Sequence, residues 1–106
     1  MSNIKLFQSK QIRTVWNDSD QKWYFVVADV VQVLTDTPNA TDYIKKMRKR
    51  DELLSQGWGQ LVTPLLVDTA GGKQKLNCAN AQGLLRIIQS IPSPKAEPFK
   101  LWLAQV

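Results

Sequence analysis

The sequence contains no histidine. That removes the commonest general base and the commonest metal ligand. Ser/His and Cys/His nucleophilic pairs and Cys/His zinc sites are therefore excluded within this chain. A single cysteine, Cys78, excludes an internal disulfide and fits a reducing compartment. No glycine-rich phosphate loop is present, since Ala70-Gly71-Gly72-Lys73 is too short for one. The close carboxylate pairs are Asp18 with Asp20 and Asp51 with Glu52, both in polar turns, where solvated acids are the default. No apolar run approaches the roughly 20 residues of a spanning helix. The opening Met1-Ser2-Asn3-Ile4-Lys5 has no signal-peptide core. These absences point to a cytoplasmic protein that is not an enzyme, holds no cofactor or metal and stays off the membrane.

What is present is a chain of 106 residues, 43% hydrophobic and 22% charged, ordinary values for one globular domain. Four Trp, three Phe and two Tyr supply apolar surface for a modest core. The net charge is +5, and its placement is uneven. Before Lys45 there are four basic and five acidic residues, and after Arg50 five and four. The run Lys45-Lys46-Met47-Arg48-Lys49-Arg50 supplies the whole excess. So local an excess is a candidate contact surface for something anionic.

Two hairpins are predicted. Ile12 to Trp16 and Trp23 to Val26 flank the polar stretch 17–22, after a short strand at Ile4 to Phe7. A turn centred on Ser19-Asp20 sets Trp16 opposite Trp23. Leu61 to Val67 and Lys73 to Ala79 flank Gly71-Gly72, with Pro64 suiting an edge strand. Lys73 and Lys75 share one face of that hairpin, and Gln74, Leu76 and Cys78 share the other. The two lysines read equally well as a basic wing or as edge charges that discourage aggregation.

Helices are predicted at Ala28 to Leu34, Ala40 to Arg50 and Ala81 to Gln89, with a last one opening at Ser93-Pro94. In the first, Val27, Val30, Val31 and Leu34 form an apolar stripe, and Asp29 suits the positive end. Asn39 caps the second. At about 100° per residue, its Tyr43, Ile44 and Met47 share one arc. Lys45, Lys46, Lys49 and Arg50 share the opposite arc, with Arg48 at an edge. Asp51 and Glu52 follow, placed to screen part of the end of this run. Leu53 to Gly59 carries no clear period, and Trp58 reads as a loop anchor tucked into the core in preference to an exposed ring that stacks on a base. The expected fold is a small α+β single domain, residues 1–106, with two antiparallel β-hairpins and about four short helices. The apolar helix that ends the chain suggests the N-terminal part of a longer protein.

Two blocks carry a family resemblance. The first is Ile12-Arg13-Thr14-Val15-Trp16 with Trp23-Tyr24-Phe25-Val26-Val27-Ala28-Asp29-Val30-Val31-Gln32-Val33-Leu34. The second runs from Leu84 through Ile91-Pro92-Ser93-Pro94-Lys95-Ala96-Glu97-Pro98-Phe99 to Leu103. They resemble the N-terminal domain of the Bro family, found in phage and prophage antirepressor-type proteins and in large DNA viruses and related to the KilA N-terminal domain. The resemblance implies a DNA-binding domain in a gene-regulation circuit and offers no catalytic residues.

With the charge pattern it gives the expected partner, double-stranded DNA. Lys45, Lys46, Lys49 and Arg50 would meet phosphates, Lys73 and Lys75 an adjacent backbone or groove, and Arg48 or Arg50 a guanine edge. The alternative is a protein-interaction module that captures a repressor or pairs with a second copy of itself, using Trp58, Phe99 or Trp102.

Overall fold

A computed structural model describes residues 2–106. The first three strands form an antiparallel meander. They are β1 (Ser2–Phe7), β2 (Lys10–Asn17) and β3 (Lys22–Val26). The β1–β2 turn uses only Gln8 and Ser9, both at positive φ, 50° and 67°. Neither is the Asn or Gly such a turn favours, which is why the sequence shows a lone strand there and not a hairpin. The β2–β3 register sets Trp16 opposite Trp23 as expected. Their ring centroids lie 5.5 Å apart, edge to face. Such a pair adds about 0.5–1.5 kcal/mol beyond simple burial.

β3 passes directly into α1 (Val27–Thr35). Then follow α2 (Ala40–Arg50), α3 (Glu52–Leu61), β4 (Thr63–Thr69), β5 (Gly72–Ala79), α4 (Ala81–Gln89) and α5 (Ala96–Gln105). The predicted hairpins do not stand apart. They join into one five-stranded antiparallel sheet, ordered β1-β2-β3-β5-β4. The seam between them is short, with Phe25 opposite Ala79 and Val26 opposite Cys78. Pro64 sits on the edge strand β4, where its missing N–H breaks no ladder. Gly72 takes φ +102° in the β4–β5 turn, a conformation open to glycine.

The sheet is covered on both faces. One face carries Ile12, Phe25 and Ala79 into the main core with the helices, whose centre is Val30, Val31, Leu54, Leu84, Ile88 and Phe99. The sheet curls, bringing β4 near β2, and its other face closes on Val15, Tyr24, Val26, Val67 and Cys78. Cys78 is fully buried, and burial pushes its thiol pKa up to about 11. It stays protonated at neutral pH and packs as a small apolar residue.

Five helices form where about four were expected, and the extra one is α3. Residues 53–59 lie inside a helix and not in a loop. Gly57 and Gly59 lower its intrinsic propensity by about 1 kcal/mol each. Tertiary packing offsets this, because Leu54, Trp58 and Leu61 turn one face to the core. Asp51 caps α3, accepting the Leu54 N–H at 3.0 Å. The same carboxylate accepts the Ser90 hydroxyl at 2.7 Å and lies 3.4 Å from Arg86. Asp51 therefore fastens α3 to the end of α4. Gly83 marks a close approach between these elements: a Cβ there would sit 2.7 Å from the Leu61 carbonyl oxygen.

The proline-rich stretch before α5 is a clamp. The Ser93 hydroxyl donates to the Leu34 carbonyl at 2.5 Å, and Lys95 Nζ reaches the Asp36 carboxylate at 2.9 Å. Both tie the chain to the last turn of α1. The helix opens at Ala96 and not at Pro94. Pro98 then stands third in the helix, where a backbone N–H would have no partner within the helix. α5 lays Phe99 against Phe7, with centroids 5.0 Å apart. Trp102 Nε1 donates to the Leu6 carbonyl at 2.8 Å.

Candidate nucleic-acid interface

α2 is built to present charge. Asn39 caps it by accepting the Asp42 N–H at 3.0 Å. Met47 is buried, and Tyr43 and Ile44 are half-buried against the main core. That anchoring arc fixes the helix rotation. Lys45, Lys46, Lys49 and Arg50 are exposed on the far side, and Arg48 sits half-buried at the edge.

The helix forms one wall of an open cleft of about 610 Å³. Ser55 and Trp58 of α3 line a second side, and Lys75, Leu76 and Asn77 of β5 a third. Val26, Val27 and Ala28, at the β3–α1 junction, also line it. Its charged residues are Arg13, Lys45, Arg48, Lys49 and Lys75, and no carboxylate lines it. The fold thus brings the hairpin lysine Lys75 to the same cleft as three residues of the basic run. Lys46, Arg50 and Lys73 lie outside the lining. Lys46 pairs with Asp42 at 3.1 Å, one helical turn back. Arg50 and Lys73 are exposed.

Arg13 has no local sequence signal, because it reaches the cleft only through the packing of β2 beneath α1. Its Nε donates to Asp29 Oδ2 at 2.8 Å and its Nη2 to Oδ1 at 2.7 Å. The Arg13 backbone N–H also donates to Asp29 Oδ2, at 2.9 Å. These bonds, and the carboxylate's charge, hold the guanidinium pKa above its usual value. Asp29 therefore staples β2 to α1, beyond its helix-end role.

Arg48 is held differently. Its guanidinium carbon lies 4.9 Å from the centroid of the Trp58 ring. Its Nε is buried with no hydrogen-bond partner. A cation over an indole gains about 0.5–2 kcal/mol. A buried donor left unpaired costs about 1–3 kcal/mol. Trp58 itself is 8% exposed. It is the core anchor expected of it, on a helix and not in a loop.

Chemically, the cleft offers cations without acids above an apolar wall of Val27, Ala28 and Ile44. Among the described residues no cluster of His, Cys, Asp and Glu could hold a metal ion, and no helix is long and apolar enough to cross a membrane. No curated protein and no solved structure matches the chain. One family model does, over residues 11–106, which takes in all of the cleft. It describes the N-terminal domain of the BRO family, and the chain belongs to that family.

Proposed function

We propose that the domain binds double-stranded DNA through the α2–α3–β5 cleft and the exposed face of α2, as part of a prophage or viral regulator of the antirepressor type. The observation that carries this reading is the cleft itself, where Lys45, Arg48, Lys49 and Lys75 gather with no carboxylate in the lining, beside an Arg13 already paired with Asp29. Duplex DNA is a dense line of negative charge, and cations without competing acids are what neutralise it. Membership in the BRO family supports the regulatory setting, a bacterial or host cytoplasm. The aromatic residues on which a protein-capture surface would lean are largely committed elsewhere. Trp58 and Phe99 are buried, and Trp102 is packed against Phe7.

The test is a salt series with genomic and random duplex fragments. If four to six phosphates are engaged, log affinity should fall against log salt with a slope of roughly −3.6 to −5.4. The variant K45E/K46E/K49E should lose DNA while keeping the circular-dichroism spectrum of the parent. A salt slope near zero, or retention of DNA by the variant, would sink the reading.

A further inference from the structure

Sequence alone left two arginines of the basic run, Arg48 and Arg50, with equal claims to a special contact. Their surroundings now separate them. Arg50 is exposed and outside the cleft. Arg48 lines the cleft, stacks on Trp58 and keeps a buried Nε with no partner. Among the described residues it has no part in the ion pairs of Arg13, Lys46, Arg86, Lys95 and Lys100. Buried guanidinium donors are ordinarily satisfied, and one without a protein partner calls for an explanation, of which a bound anion is one. A guanidinium lying over a ring can still present its fork of N–H donors for two-point contact with an oxyanion.

We propose that Arg48 seats one phosphate of a DNA strand in the cleft, and that Trp58 is the positioning residue that holds the guanidinium for it. Lys45 and Lys49, one turn before and one residue after Arg48 on α2, and Lys75 from β5 supply the surrounding positive charge. This rests on the DNA-binding reading above and makes it specific. The contact depends on the shape of the cation as well as on its charge, so lysine cannot replace Arg48.

The experiment measures binding of a fluorescent duplex by R48K, R48M, W58F and, as a control outside the cleft, K10M. Thermal melts confirm that each is folded. R48K and R48M should both lose about tenfold, W58F about threefold, and K10M less than twofold. Rescue of wild-type affinity by R48K would reduce Arg48 to a bare charge and overturn the proposal, as would wild-type affinity in R48M. A second readout follows the Nε–H resonance of Arg48 by NMR. It should shift when duplex is added and respond far less to inorganic phosphate at the same phosphate concentration. An equal or larger shift with inorganic phosphate would make this a free-anion site and overturn the strand assignment. No shift with duplex would overturn the contact itself. If the wild type fails to bind duplex at all, the broader DNA reading falls and takes this one with it. If the wild type binds and only the Arg48 results fail, the DNA reading stands.

Discussion

The cations of this domain fall into two populations. Arg13, Arg86 and Lys95 are joined to carboxylates from distant parts of the chain. Each joins two elements: β2 to α1, α4 to the cap of α3, and the lead-in of α5 to the end of α1. Lys45, Arg48, Lys49 and Lys75 gather at one cleft and enter none of these pairs. The fold therefore commits Asp29, Asp36 and Asp51 to architecture and leaves the cleft lining without a carboxylate. Net charge describes neither population, because what matters is which cations have been given a counter-charge.

The sharpest way to break this comparison is to make the same charge change in two places. K45E/K49E/K75E should lower duplex affinity about 100-fold, or about 2.7 kcal/mol. K10E/K22E/K100E should lower it less than tenfold. Equal losses would mean that net charge, not placement, governs binding.

The converse test strikes a paired cation. Asp29→Ala leaves the part-buried Arg13 with three donors unmatched. It should cost about 2 kcal/mol, lowering the melting temperature by roughly 10 °C, with duplex affinity held or raised because Arg13 is released. A melting temperature within about 2 °C of the parent would remove Asp29 from the architectural group.

A smaller effect concerns acid. The Ser90 hydroxyl, the Leu54 N–H and Arg86 hold the Asp51 carboxyl below its usual 3.8. A depressed carboxyl contributes stability that is whole above its unfolded pKa and is lost as pH falls through the lower folded value. D51N should therefore be less stable than the parent at pH 6 and show a flatter decline below about pH 4. Parallel acid limbs in the two proteins would contradict the sign. The smallest effect is expected at the exposed Asp42–Lys46 pair. K46A should shift stability by no more than about 0.5 kcal/mol, and a larger shift would place Lys46 among the architectural cations.

Much of the architecture was legible in local pattern. The Trp16–Trp23 register, the cap at Asn39 and the inward turn of Met47 followed from periodicity and turn chemistry, and all three are observed. α3 was hidden by Gly57 and Gly59, although Asp51 followed by Leu54, Trp58 and Leu61 was a cap and an apolar stripe that could have found it. β1 reads as a lone strand because Gln8 and Ser9 carry a turn usually marked by Asn or Gly.

Within the candidate site, the stripe on α2 could be drawn from the 3.6-residue repeat. Its division between Lys45, Arg48 and Lys49 in the cleft and Lys46 and Arg50 outside could not. That depends on where β5 and α3 come to rest. Arg13 was unreadable for the same reason. Its partner lies sixteen residues away, and only the packing of β2 on α1 brings the two together.

The joints around the cleft set how it meets a ligand in time. β3 runs into α1 with no intervening residue, and Asp51 alone separates α2 from α3. That one linking residue is itself bonded to Leu54 and Ser90. Both joints are short, and the α2–α3 joint is held at Asp51 by hydrogen bonds. If the proposed DNA binding holds and short joints keep the walls in place, encounter and capture should appear as a single kinetic phase whose rate rises in proportion to DNA concentration, without a plateau set by protein rearrangement. In that case adaptation would fall to the nucleic acid, and stiff and flexible duplexes of equal charge should differ in how long they stay.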